Sequence, residues 1–475
     1  MKALLDKKEI FLGLSLGLVF SASWLLHNPW LLLLAIPPVV LYFGLFQTKS
    51  LFLSLAFFAP ISVNIEDYTE GIGLFLPTEP LLFGLLVWFI LLHLQKPLVE
   101  PSFFRHPLIT LLLAYFLWLV VSAIVSSNPL ISFKFLLSKC WLFIPMLLWG
   151  GYFLGQRSMR NAFLWMFTIS TSLVILYTVF THAQYAFGEK ESHWVMWPFF
   201  KDHTIYGAIV ALVLPFPLIL MREKQQDLLS KGLLLLFFII VLVGLYFSYT
   251  RAAWLSVLAA GFILVLVYFR VKFSIVFTLG LLAFVLMFFK YDDIQIALAR
   301  NKQDHTTESF DQRIKSAANV TTDASNLERI NRWSCAIQMF KERPIFGFGP
   351  GTFAFEYARF QEPENKTIIS TNFGNLGNAH SEYLGALSET GIVGGVLFVS
   401  FVFFTMRASI LLVRKSRETS LETLPLAMGI LFSLSTYFVH AFLNNFLDTD
   451  KAAVPIFGLI AMILVLEKQL MADPC

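Results

Sequence analysis

His380, in Asn378-Ala379-His380-Ser381-Glu382-Tyr383-Leu384, carries the side chain best suited to exchange a proton near neutral pH. General-base catalysis needs such a group within hydrogen-bond reach of a hydroxyl. The alternative is an interfacial histidine that only satisfies its own hydrogen bonds. Glu382 and Glu389 follow closely, as carboxylates that could orient the ring or bind a partner. Arg251, in Ser248-Tyr249-Thr250-Arg251-Ala252-Ala253-Trp254, sits between two apolar segments joined by almost no loop. A helix hairpin needs no guanidinium, and the planar fork of arginine suits phosphate better than lysine does. A snorkelling, topology-setting arginine is the competing account. Arg329 and Arg332 lie beside Trp333 in a polar stretch, ahead of Pro344-Ile345-Phe346-Gly347-Phe348-Gly349-Pro350-Gly351. Those glycines lack a preceding strand and a following Lys-Ser/Thr, so they do not form a nucleotide loop. A tight turn that lowers the polar stretch onto a membrane accounts for them better.

Lys134 and Lys139 stand within an apolar run. Intramembrane cations are costly and point to function. Lys134 is near enough to the end to snorkel, whereas Lys139 is deeper. Together they favour an anionic lipid headgroup. Asp202 and His203 open another apolar run, either as support for a site or as a polar helix start with Asp202 as N-cap.

The elements that position these residues follow from composition. The chain is 57% hydrophobic and 14% charged, with 51 Phe among 475 residues. A soluble domain is about 45–50% apolar and about 25% charged. Roughly 20 apolar residues span hydrocarbon as a helix, and continuous apolar runs, without alternation, select helices over a barrel. The fold class is therefore all-α and polytopic. Candidate spans number 14, near 9–26, 29–46, 50–63, 78–94, 107–126, 130–150, 161–181, 203–221, 232–248, 252–268, 273–290, 391–412, 423–443 and 453–467. The third is short and polar-flanked, which suits a re-entrant segment, and a total of 12 also fits. The N-terminus reads as a retained first helix. Cys140, Cys335 and Cys475 show neither metal nor disulfide spacing. The net charge of +4 is too small to argue for nucleic acid.

Lys and Arg in short loops set orientation. With the N-terminus inside, the cytoplasmic loops receive most of them, and the opposite short loops hold only Lys190, Lys201, Arg251 and Lys451. Both termini are then cytoplasmic. Residues 291–390 form one large outer loop between two membrane parts, 1–290 and 391–475. Asn301 to Ser325 reads as irregular. Leu327–Phe340 places Ile330, Trp333, Ile337 and Phe340 at helical spacing, which predicts an amphipathic helix. A second outer loop, 182–202, is rich in aromatics suited to the membrane–water boundary.

In order and spacing, Ser248–Trp254, Arg329 with Trp333, Pro344–Gly351 with Phe353, and His380 through Gly391 resemble the O-antigen ligase and polymerase superfamily of bacterial envelope glycosyltransferases. The resemblance covers roughly 200–400 and the number of spans. It implies transfer of a glycan from an undecaprenyl-diphosphate carrier to a hydroxyl, outside the bacterial cytoplasmic (inner) membrane, without a metal or other cofactor. It implies that Arg251 and Arg329 hold the diphosphate, with Lys139 as a looser match, and that His380 activates the acceptor. Arg332, Glu382, His203 and Lys134 are possible supporting residues. Ser381 departs from the asparagine that many members carry after the histidine, which leaves the acceptor open. Ligation to a lipid A–core sugar leads. Polymerisation of repeat units and transfer to protein hydroxyls use the same donor. A transporter of lipid-linked sugars is the reading from a different class, although transporters favour midplane sites and internal repeats.

Overall fold

The computed structural model describes residues 17–22, 42, 47–66, 73–223, 227–271, 324–362 and 377–472. The expected spans 9–26, 29–46 and 273–290, and the stretch Asn301 to Ser325, lie wholly or largely outside these residues. In chain order the helices are α1 (Thr48–Ile61), α2 (Thr78–Gln95), α3 (Pro107–Ile124), α4 (Pro129–Phe153), α5 (Arg157–Ala183), α6 (His203–Met221), α7 (Leu228–Tyr246), α8 (Arg251–Tyr268), α9 (Ala324–Glu342), α10 (Glu382–Thr419), α11 (Leu424–His440) and α12 (Asp450–Ala472). Among the described residues, nine are long and apolar enough to cross a membrane, and α1 and α11 are shorter apolar helices. Each expected span that falls on described residues is met by one helix. The protein is a multi-pass membrane protein.

Local sequence explains where these helices begin. Pro107 and Pro129 occupy first-turn positions, where the missing N–H costs nothing. The Asp202 carboxylate accepts from the backbone N–H groups of Thr204 and Ile205 and starts α6. Asp227 caps α7 in the same way, and the Ser381 hydroxyl accepts from Leu384 N–H to start α10. Two-residue strands at Val63–Asn64 and Phe75–Leu76 pair antiparallel between α1 and α2.

Burial sorts the helices. The apolar windows of α6 and α12 are 83% and 78% buried, against 22% for α7 and α8, so the first two form the centre and the others face lipid. The Ser433 hydroxyl donates to Leu212 O at 2.7 Å and ties α11 to α6. Phe143 and Phe457 rings meet at 4.3 Å between α4 and α12. One end of the bundle carries solvent-exposed ion pairs, Arg157 with Glu223 and Glu422, Arg270 with Glu418, and Lys468 with Glu100. At the other end meet the start of α12 and the end of α1. There the buried Lys451 ammonium donates to the carbonyls of Ala59 and Ser62 at 3.0 and 2.6 Å. Its charge and donors satisfy carbonyls that the end of α1 leaves without partners.

The loop segments join this second end through a break in α10. Gly391 has φ 67° and ψ −169°, a conformation open essentially to glycine alone. The backbone groups that the break frees are taken up by the Pro344–Gly351 turn. Ile392 N–H donates to Pro344 O at 2.8 Å, while Phe348 and Gly349 N–H donate to the carbonyls of Ser388 and Glu389 at 3.2 and 2.8 Å. The end of α3 closes the joint from the other side. Ser122 Oγ donates to Phe346 O at 2.8 Å, and the Trp118 ring stacks on Phe346 at 5.5 Å. The glycine-rich stretch is thus a splice between loop and membrane helix.

The expected loop helix forms as α9, but the apolar stripe is not its buried face. Its buried face is Glu328, Asn331, Arg332, Cys335, Ala336 and Met339, whereas Ile337 is 41% exposed and Ile330, Trp333 and Phe340 are half-buried. The reason is ionic. Arg332 and Glu328 pair at 2.7 Å, and the guanidinium lies over the Tyr357 ring at 4.7 Å, so charge goes inward with its partner. A small core of Cys335, Met339, Phe348, Phe353 and Tyr357 packs around them.

A Cβ at Gly391 would collide with the Ile345 carbonyl oxygen, whereas one at Gly84 would meet nothing within 4 Å. We expect Gly391→Ala to destabilise the protein by about 3 kcal/mol or more, from strain and collision together, and Gly84→Ala to be near neutral. Thermal unfolding in detergent measures both, and equal midpoints would refute the splice.

Candidate active site

Four elements meet at the loop end of the bundle. His380 sits in the turn before α10 with φ 48°, a left-handed conformation uncommon outside glycine. Two hydrogen bonds hold it there. The Asn378 side-chain oxygen accepts from His380 N–H at 3.0 Å, and the Trp333 indole of α9 donates to His380 O at 3.2 Å. Arg332 Nη1 donates to Asn378 O at 3.1 Å, so α9 clamps this turn at two points. On the far side Glu382 N–H donates to Ala441 O at 3.0 Å, which docks the turn on the end of α11.

The ring of His380 faces the Asn444 amide, and Asn444 Nδ2 lies 3.0 Å from His440 Nε2. His440 in turn lies against the backbone of Ala252, the residue after Arg251. The residue before Arg251 is held too. Thr250 Oγ1 donates to the carbonyl of His203 at 2.7 Å, an approach that the absent side chain of Gly207 makes room for. The His203 ring stacks on His193 at 4.2 Å. Arg329 completes the group. Its Nε donates to Leu443 O at 3.3 Å, and its charge is felt by His203, His380 and His440 alike. Arg251 is therefore flanked in sequence by contacts to His203 and His440, two histidines that both sense Arg329.

Burial, and then the charges of Arg332 and Arg329, pull His380 down to about 4. The imidazole is neutral at neutral pH and able to accept a proton. In this arrangement a ring that can take a proton lies beside guanidinium groups that can hold an anion.

Other expected residues lie elsewhere. Lys134 is exposed on α4, which packs on α2, α3 and α12 and not on α8. Lys139 is buried and paired with Asp448, with its ammonium over the Phe135 and Phe143 rings at 4.9 and 5.0 Å. Glu382 does not orient the His380 ring. Its Oε1 accepts from Tyr437 Oη and from the N–H groups of Phe446 and Leu447, each at 2.8 Å, which fixes the 443–448 segment. Glu389 accepts from Gly351 and Phe353 N–H at 2.9 Å each. Arg332 is committed to Glu328, Asn378 and Tyr357 inside the loop core. Sequence reasoning did not single out His440 and Asn444. The available signal was a His and an Asn four residues apart closing an apolar span.

Burial pushes the Cys335 thiol up to about 12, so it resists thiolate-directed reagents while the loop core is intact. Breaking a buried ion pair by removing one partner costs about 3–5 kcal/mol. We expect Glu328→Ala to expose Cys335 to maleimide, read by peptide mass mapping. Protection equal to wild type would show that the pair does not hold the core.

No curated protein is significantly similar to the chain. Residues 236–399, which take in most of α7, all of α8 and α9, the turn with His380 and the break in α10, match the family described as O-antigen ligase. Over that domain the chain is similar to the O-antigen ligase family, which supports the resemblance drawn from the sequence.

Proposed function

We propose that the protein is an O-antigen ligase-like glycosyltransferase. It moves a glycan from undecaprenyl diphosphate to a sugar hydroxyl, foremost of lipid A–core, at the periplasmic face of the bacterial inner membrane. The observation that carries this reading is the gathering of Arg329, His380, His440, Asn444 and the Arg251 hairpin at one end of the bundle. The family match supports glycosyl transfer of the ligase or polymerase type.

The chemistry follows from charge. The acceptor oxygen forms a bond to the anomeric carbon of the donor sugar, and the bond from that carbon to the diphosphate oxygen breaks. Undecaprenyl diphosphate departs with the electron pair. Guanidinium groups aimed at that oxygen stabilise the charge as it develops, and a planar fork can do so through two hydrogen bonds. The acceptor proton goes to His380, which the clamp from Trp333 and Asn378 holds in place.

The direct test is purified protein with a defined undecaprenyl-diphosphate-linked donor and three acceptors: lipid A–core, a second carrier-linked repeat, and a protein hydroxyl. Turnover without an ion gradient is expected, with lipid A–core preferred. Turnover with another acceptor selects polymerase or protein glycosylation instead, and no turnover with any of them overturns the reading.

His380→Ala and Arg251→Ala are each expected to abolish transfer while the protein still inserts, and wild-type activity in either removes that residue from the mechanism. Arg329→Lys, which replaces a fork by a point charge, is expected to lose at least about tenfold, worth about 1.4 kcal/mol. Wild-type behaviour there would contradict the two-bond role.

The pH profile carries a second check. Protonated His380 cannot serve as base, so activity falls as pH drops through its pKa. Burial, and then two arginines, depress that pKa, and a bound diphosphate offsets only the arginines. The acid limb of kcat/KM is expected near pH 4 and that of kcat at higher pH. Coincident limbs would separate the arginines from the diphosphate.

A further inference from the structure

Beneath the loop lies a cavity of about 190 Å3, to which Asn445, Leu447 and Asp448 contribute. Lys139, Asp448, Glu382 and Glu389 line it together with the rings of Phe135 and Phe353. Gly377 at its rim is exposed. The splice described above builds this site. Glu389 is held by Gly351 and Phe353 N–H, so the turn that anchors the loop also shapes the wall.

The charge pattern says what the cavity takes. Three carboxyl groups face one ammonium, and that ammonium is already paired with Asp448. A diphosphate entering here would meet repulsion from the carboxylates and gain no uncommitted cation. Glu382 is only 8% exposed and uses Oε1 for all three of its hydrogen bonds. Its Oε2 takes part in none of these three, and the residue lines the cavity. Carboxyl oxygens accept from hydroxyls, an ammonium donates to them, and flat apolar rings cover the C–H face of a sugar. The volume is below the roughly 300–1,000 Å3 of pockets for larger ligands, which matches one ring.

We propose that this cavity is a sugar subsite. It binds the hydroxyls of one monosaccharide ring of a glycan substrate through Lys139, Asp448, Glu382 and Glu389. Lys139 then serves the glycan and not the diphosphate. The inference rests on the glycosyl-transfer reading and assigns a place to the sugar within it.

Ala354 lines the cavity and makes none of these polar contacts, so Ala354→Leu fills the space and leaves the charges alone. The probes are the carrier-linked glycan extracted from cells that express the protein, its acceptor, and sugar-free undecaprenyl diphosphate. We expect KM to rise at least tenfold with kcat within about threefold and binding of the sugar-free carrier unchanged. A rise in donor KM assigns the ring to the donor, and a rise in acceptor KM assigns it to the acceptor. Unchanged KM for both, or lost binding of the sugar-free carrier, overturns the proposal. If Ala354→Leu does not fold, Ala386→Leu, also at the cavity lining, is read by the same criteria. If the wild-type protein transfers nothing, the ligase reading fails on its own. The cavity is then judged by calorimetry with the oligosaccharide released from the carrier: weaker binding to Ala354→Leu supports the subsite, and equal or absent binding overturns it.

Discussion

Backbone groups that leave a helix inside a membrane need partners, because hydrocarbon supplies none. The break of α10 at Gly391 creates that need, and the Pro344–Gly351 turn meets it through Ile392, Phe348 and Gly349. The rest of the functional end depends on this exchange. It fixes the height of the loop core above the bundle, and the core carries α9. Through Trp333 and Arg332, α9 then holds the turn that presents His380. Glu389, one residue from the break, binds the far end of the same turn.

Two polar neighbourhoods result, and the 443–448 segment contributes residues to both. On one side guanidinium and imidazole groups collect, with Arg329 sensed by three histidine rings. On the other, carboxyl groups outnumber a single paired ammonium. Glu382 belongs to the second, yet through Phe446 and Leu447 it braces the wall shared by both. The separation suits a substrate with an anionic carrier end and a neutral sugar end, because each part meets the charge that tolerates it.

Much of this was readable in the sequence, for definite reasons. Hydrocarbon thickness imposes a length on each span, so the apolar runs mark the helices whatever their packing. Arg251, Arg329 and His380 stand out because a guanidinium at a bare hairpin and an imidazole at a helix start need a reason. The inward face of α9 was not legible, because periodicity counts apolar residues as buried, while Arg332 and Glu328 go inward as a pair. The pairing of Lys139 with Asp448 was not legible, because the two stand 309 residues apart in the chain. The break at Gly391 gave no sign either. Its cause is the carbonyl of Ile345, close in space and distant in sequence.

The account rests on one diphosphate being shared by Arg251 and Arg329 beside His380. A cryo-EM structure with sugar-free undecaprenyl diphosphate bound tests this most directly. It should place the two phosphates within hydrogen-bond reach of both guanidinium groups, beside His380 and outside the Lys139 cavity. Phosphate density beside Lys139, or on a lipid-facing surface remote from both arginines, would contradict it.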